Sequence, residues 1–451
     1  MPLIAIKRII YAYCPSIFKP ILVRIEASEI GSRLVKGIFW SMSGAVISRG
    51  LMLVASIVVA RILGQTGYGE LAMIQSTVGM FGVVSGFGLG LTATKHVAEF
   101  RRSDPARAGR IIGLSRLVAI VTGGVMALGL FIFAPWLAGQ TINAPHLQGV
   151  LRIGSLILLI NALNGAQTGA LAGFEAFKTI AYVNVFVGLI SFPILAGGAY
   201  FGGLTGTVWA LAINLGVNWF LNYLALQKET RRYRISFSFT NCFSELSVLW
   251  KFSLPSVLSG AMVAPVNWIC NAMLVNQPAG YGEMGIFNAA NQWKIAILFI
   301  PGMVGKIALP MLSSLSGQNE RSKYLKVLKY NVLINGGITL LLAIGVALFS
   351  HRIMQFYGPG FEKGMWLLVC LSLTAVLVAV NTVVGEAIAS KGKMWVGFIF
   401  NALWASVILC AASILISRGY GALGLAYAIL IAYIFHTIWQ CFYISKILHK
   451  E

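Results

Sequence analysis

The chain has 451 residues, 58% of them hydrophobic and only 10% charged, with a formal net charge of +21. No soluble globular core needs that much apolar surface, so a polytopic, all-α membrane protein is expected and a soluble enzyme is excluded. Six scattered cysteines show no Cys-x-x-Cys and no histidine at ligand spacing; they read as small buried packers, and neither metal nor cofactor is expected.

Residues 1–35 form a basic N-terminal segment. Lys7, Arg8, Lys19 and Arg24 are interrupted by Pro15 and Pro20, and no small-residue cleavage site follows. A segment on the inner leaflet is one expectation, a disordered tail the other. A membrane helix needs about 20 apolar residues. Charge-free gaps then place twelve spans, at 37–62, 70–93, 114–134, 151–172, 179–199, 203–226, 250–274, 284–308, 331–349, 364–388, 395–416 and 421–445. Pro135 and Asn143-Ala144-Pro145 mark a loop after the third span. Residues 197–203, with four glycines, mark a turn between the fifth and sixth.

The chain repeats itself. Gly67-Tyr68-Gly69-Glu70 recurs as Gly280-Tyr281-Gly282-Glu283, at an offset of 213. Asn164 and Asn184 recur as Asn381 and Asn401 at 217. Gly203, Gly206, Trp209, Ala210 and Lys228 recur as Gly421, Gly424, Tyr427, Ala428 and Lys446 at 218. The slow drift reads as small loop insertions in a duplicated unit. The expected organisation is an N-terminal six-helix lobe (36–227), a basic cytoplasmic linker (228–250), a C-terminal six-helix lobe (251–446) and a short tail (447–451). Six spans per half make the repeats parallel, and transporters built this way bind substrate between the halves. Both Gly-Tyr-Gly-Glu copies are then expected in outer loops.

Lys and Arg set the orientation. One side of these spans carries 27 and the other five, with two inside spans. Both termini are therefore expected in the cytoplasm. Topology and contact with anionic lipid account for most of the positive charge, so nucleic acid is not an expected partner.

Charges inside a span are costly and point to function. Arg49 sits mid-span in helix 1, with Ser41, Ala45, Ser48, Met52 and Ser56 around it at helical spacing. Lys294 sits mid-span in helix 8, with Asn288, Asn291, Gln292 and Trp293 close in sequence. Helix 7 carries Ser256, Ser259, Asn267 and Asn271 on one face, with Pro255 and Pro265 to bend it. These residues suit a wet cavity, and a structural hydrogen bond or ion pair is the alternative for each cation. Helix 4 carries Asn161, Asn164 and Thr168, and helix 6 carries Asn214, Asn218 and Asn222; interhelical hydrogen bonds are the simpler reading there. Glu386, near the cytoplasmic end of helix 10, and His436, mid-span in helix 12, are candidates for coupling to an ion. An interfacial salt bridge and a packed histidine are their alternatives. Two deep cations without a carboxylate at the same depth favour an anionic substrate, which Arg and Lys hold by forked and point contacts. The sequence shows no P-loop, catalytic triad or metal-ligand cluster, so no enzyme is expected.

Ala60-Arg61-Ile62-Leu63-Gly64, followed by Gly67-Tyr68-Gly69 and Gln75-Ser76, resembles the oligosaccharide flippases of bacterial polysaccharide biosynthesis, the O-antigen flippase type. Their superfamily also holds the multidrug and toxic-compound extruders and the lipid II flippases. The resemblance covers residues 35–445. It implies two six-helix lobes around a central cavity in the bacterial inner membrane. It also implies alternating access that moves an undecaprenyl-pyrophosphate-linked oligosaccharide from the cytoplasmic to the outer leaflet for surface polysaccharide assembly. Polysaccharide synthesis or polymerase proteins are its implied partners. Gln75 joins Arg49, Lys294, Asn267, Asn271, Asn288, Asn291, Gln292 and Trp293 as expected substrate contacts. A multidrug extruder is the alternative, and buried carboxylates would be its mark.

Overall fold

A computed structural model describes residues 29–235, 242–246, 262–317, 321–391 and 393–450, and the described chain is almost entirely helical. Glu29–Gly86 is one helical run folded at Gly64 (φ 69°, ψ −178°) into α1 (29–63) and α2 (from 65), and after a left-handed break at Phe87 and Gly88 α2 resumes over Leu89–Phe100. Then follow α3 (Pro105–Trp136) and α4 (Gln148–Gly173). Phe177–Arg232 is again two helices, α5 (177–202) and α6 (from 204), folded at Gly203 (φ 54°, ψ −136°). The second half holds α7 (Val263–Val275), α8 (Gly280–Gly317), α9 (Arg321–Leu348), α10 (Met365–Ser390), α11 (Met394–Ser417) and α12 (Gly421–Lys450). Gly64 and Gly203 hold backbone angles that a side chain would strain, which is why two spans can meet in a one-residue turn.

By length and hydropathy, eight continuous stretches among the described residues can cross a membrane, and two of them, Gly44–Phe100 and Phe177–Arg232, hold two spans each. With α7 and α8 the total is twelve, at the places the apolar gaps predict. The helices overrun those limits: α3 begins at Pro105, capped by Asp104, whose Oδ1 accepts from the Arg107 N–H at 2.9 Å. Proline is favoured at a helix start because its missing N–H is not needed there. Pro135, expected in a loop, instead sits in the last turn of α3. α6 runs on to Arg232, into the residues expected to begin the linker. The N-terminal segment before residue 29, Cys14, Pro255, Ser256, Ser259 and the first half of span 7 lie outside the described residues. Cys242, Cys270 and Cys370 are buried, whereas Cys410 and Cys441 are exposed on the helix surface, which corrects the expectation for those two.

The Gly-Tyr-Gly-Glu copies are not loops. Each is a first helical turn, of α2 and of α8, and both lie at one end of the bundle. There the backbones touch. A Cβ on Gly69 would stand 1.8 Å from the Tyr281 carbonyl oxygen, and one on Gly285 would stand 2.2 Å from that of Gln65. Equivalent turns meeting at the same end require the two lobes to run in parallel; inverted repeats would put them at opposite ends. Membrane helices associate through such close contacts of small residues, since lipid offers no hydrophobic drive. A continuous core including Tyr68, Met73, Leu151, Leu274, Phe287, Tyr357 and Phe361 runs through both lobes at this seam.

Candidate functional site between the lobes

The seam at the Gly-Tyr end is bonded across the lobes. Arg61 Nε donates to the Phe356 carbonyl at 2.6 Å, Asn276 Nδ2 to that of Thr141 at 2.7 Å, and the Tyr281 hydroxyl to that of Ile142 at 2.8 Å. The Tyr68 ring packs on Tyr357 and Phe361 at 6.3 and 6.2 Å between centroids. One turn deeper, Asn271 Nδ2 donates to Ser76 Oγ and Trp268 Nε1 to Thr77 Oγ1, both at 2.9 Å. Glu283 is spent within its own lobe: its carboxylate accepts from the Ala422 N–H at 2.8 Å and so caps α12. Glu70, its counterpart, binds His146 Nε2 at 2.7 Å.

Deeper still lies Arg49, roughly 21 Å of helix from the Gly64 turn. Its Nη2 donates across the lobes to Gln292 Oε1 at 3.4 Å. A small cavity of about 70 Å³ surrounds the pair, lined also by Met52, Ser56, Tyr68, Gln75 and Thr207. Lys294 lies at the same depth along α8, about 21 Å from Gly280. It does not share this cavity. Two residues after Gln292, it is turned about 200° around the helix, toward α10, where Cys370 is its electrostatic neighbour. Neither cation pairs with a carboxylate among the described residues.

The other expected contacts divide. Asn271, Gln292 and Gln75 stand at the lobe interface. Asn288 is buried on α8 with its Nδ2 unpaired, Asn267 is exposed, and Asn291 is half-buried. Trp293 packs against the central core. Glu386 makes none of the described ion pairs, and its Oε2 is buried without a partner. His436 lies apart, in a cavity inside the second lobe. Thr77 and Trp268 escaped the sequence reading, and Ser76 entered it only through the Gln75-Ser76 motif and not as a contact.

At the basic end the described polar bonds stay within a lobe or tie it to the linker. Buried Arg101 donates to the Gly173 carbonyl at 2.8 Å, pairs with Glu175 and lies over the Tyr233 ring. The linker turn Cys242–Glu245 is clasped to the first lobe. Buried Glu245 meets Arg107 at 3.1 Å and Arg110 at 3.3 Å, and Cys242 sits in an apolar nest with Leu89, Leu114 and Ala166.

Two six-helix lobes joined at one end share the fold of a structure described as a multidrug resistance MATE family transporter of the MOP superfamily. That structure, described as inward-facing, superposes with a TM-score of 0.72 at 15% identity, covering 92% of this chain and 99% of its own. The family follows from the sequence: residues 34–316 match the model of the polysaccharide biosynthesis protein family, and the chain belongs to it. It is similar to the EPS I polysaccharide export inner membrane protein EpsE of Ralstonia nicotianae, with 27% identity over 88% of this chain and 91% of that one. It is also similar to the lipopolysaccharide biosynthesis protein WzxC of Escherichia coli, with 21% identity over 93% and 82%.

Proposed function

We propose that the protein carries a lipid-linked oligosaccharide with a pyrophosphate head from the cytoplasmic to the outer leaflet of the inner membrane, for surface polysaccharide assembly. It acts as a transporter and not as a catalyst. One observation carries the anionic part: the Arg49 guanidinium lies between the lobes, held by a neutral amide 3.4 Å away and by no described carboxylate. A cation held this way keeps its charge available to a ligand. Family membership and the export names of the relatives support the saccharide part. They do not favour the multidrug alternative, which also needs acids at the site.

The lipid tail of such a substrate stays in the bilayer while its head cannot enter hydrocarbon. Each unpaired hydroxyl there costs roughly 2–7 kcal/mol, and a phosphate charge far more. A polar path between the lobes removes that barrier. With the basic loops in the cytoplasm, the Gly-Tyr seam is the outer gate, and the form described here is closed outside. Each interhelical hydrogen bond in a membrane contributes on the order of 0.6 kcal/mol, so the five side-chain bonds of the seam sum to about 3 kcal/mol. A gap of that size leaves the opposite state accessible. Moving one negative charge outward across 100 mV releases about 2.3 kcal/mol, so a head with about two charges gains several kcal/mol without a coupled ion.

The test is transfer in vesicles holding purified protein and an undecaprenyl-pyrophosphate oligosaccharide. An interior-negative potential is expected to speed protein-dependent transfer outward, and Arg49→Ala to abolish it. Equal transfer at zero and imposed potential would contradict the anionic reading.

A further inference from the structure

Two side chains flank the Gly64 fold and reach from the first lobe into one turn of the second, residues 356–361. Arg61, at the end of α1, passes Gly358, where a Cβ would stand 3.6 Å from Arg61 Cγ, and donates its Nε–H to the Phe356 carbonyl at 2.6 Å. Gln65, the first residue of α2, reaches the same turn. A Cβ on Gly360 would stand 2.8 Å from Gln65 Cδ and closer still to its Nε2, and one on Gly282 would stand 3.9 Å from its Oε1. The amide therefore lies against two glycines of the second lobe. Its Nε2 is buried and has no hydrogen-bond partner. Arg61 bonds the lobes together at this turn, and Gln65 fills space there with a polar group left unpaired.

An amide nitrogen has two protons to give, and water takes both. Enclosed without an acceptor, the group loses that hydration and gains nothing in return. Buried polar groups are nearly always paired, so an exception calls for a reason. Here the walls belong to the other lobe. Gly360 and Gly282 enclose an amide carried by α2, so parting the lobes removes the walls and returns the nitrogen to water. The penalty therefore exists only while the seam is closed. A free-energy difference confined to one of two states is what moves the balance between them. The Arg61 bond is likewise made only in the closed seam, and it acts with the opposite sign.

The close crossing itself does not need this side chain. Its contacts are Gly69 against the Tyr281 carbonyl and Gly285 against the carbonyl of residue 65, and any residue supplies that carbonyl. The duplication points the same way. At the offset of 213, Gln65 corresponds to Pro278, which carries no amide side chain. Arg61 corresponds to Leu274, which is fully buried in the core. Both polar side chains that enter the 356–361 turn are thus additions of the first lobe to a crossing built on glycine.

We infer that Gln65 is a wedge in the outer gate. Its amide, buried without a partner only when the seam is closed, weakens closure and keeps the open form within reach, while Arg61 on the same turn strengthens closure. The inference rests on the seam being a gate, and not on what the gate passes.

Spin labels at Gln140 and Gln277 in the full-length protein in nanodiscs read the seam as short and long distances. Gln65→Met keeps the length of the side chain and removes its polar atoms. The ratio of short to long is expected to rise about fivefold or more, with the melting temperature held or raised, and Gln65→Leu should act in the same direction. Arg61→Met removes a bond across the same turn and should shift the ratio toward long. Making the Gln65 substitutions in the Arg61→Met background as well keeps the ratio on scale where the unsubstituted seam is almost all closed. Gln65→Glu, which puts a charge in the same enclosed space, should open the seam further. A residue that merely packs the seam loosens it when replaced, so a shift toward long in both Gln65→Met and Gln65→Leu would overturn the wedge. A ratio that neither variant changes, in either background, would overturn it too. If Arg61→Met opens the seam in those cases, the gate itself stands. A single short distance in every variant, Arg61→Met and Gln65→Glu included, would overturn the gate and the wedge with it.

Discussion

The two ends of the bundle are held in opposite ways. At the Gly-Tyr end the lobes are bonded to each other, through backbone carbonyls that accept from Arg61, Asn276 and Tyr281 and through glycine contacts without room for a Cβ. At the basic end the arginines spend their donors inside the first lobe, on Gly173, Glu175 and the linker's Glu245. The first arrangement is many weak bonds that can part together. The second makes a lobe rigid on its own account. Bodies that are stiff internally and weakly joined at one end can rock, which is the motion alternating access needs.

The comparison can be broken most severely at the seam. Gly69→Val puts a branched side chain where the Tyr281 carbonyl stands, so the seam should not close and transport should fall more than tenfold. A spin-label pair at Gln140 and Gln277 should read a longer distance than in the unsubstituted seam. Gly79→Ala, on the same helix but facing open space, should change neither. An unchanged distance in Gly69→Val would mean the seam does not depend on backbone contact.

A smaller effect should follow at the basic end. Removing Arg107 and Arg110 together leaves the Glu245 carboxylate buried without a described partner. Both arginines are partly exposed, so the expected loss is about 1–3 kcal/mol of stability, below the figure for a fully buried pair. It is measurable as a lowered melting temperature, and Glu245→Gln in the same background should recover part of it. The seam distance should not move; if it lengthens, the linker clasp governs the gate as well. The smallest effect is expected from Asn271→Ala, which removes one bond of the seam. About 0.6 kcal/mol shifts the open fraction roughly threefold. Relaxed seam distances with nearly normal transport would fit, and abolished transport would place Asn271 in substrate contact instead.

Much of the architecture was legible because membrane physics writes it in composition. Apolar gaps gave the spans, and the repeated glycines gave the lobes. The Gly-Tyr-Gly-Glu turns were misread as loops because glycine marks both a turn and a close helix crossing, and only coordinates separate the two. The site was legible in part. Arg49, Gln292 and Asn271 meet at the lobe interface, but spacing alone does not show that Lys294 turns away from Arg49 on the far face of α8. The offset that pairs Asn164 with Asn381 extends to Asn218 with His436 and Asn222 with Gln440. That signal was present in the sequence; which of these groups find partners depends on packing. The clasp on Glu245 could have been suspected, since it is the one acid between Glu229 and Glu283.

The central claim is that Arg49 holds an anionic head group. Its most direct test is Arg49→Ala beside Arg49→Lys in cells, scoring surface polysaccharide against the amount of protein in the membrane. Alanine is expected to abolish export at unchanged protein level, and lysine, which keeps the charge but not the fork, to restore part of it. Normal export by both variants would contradict it and leave Arg49 as a bond between the lobes.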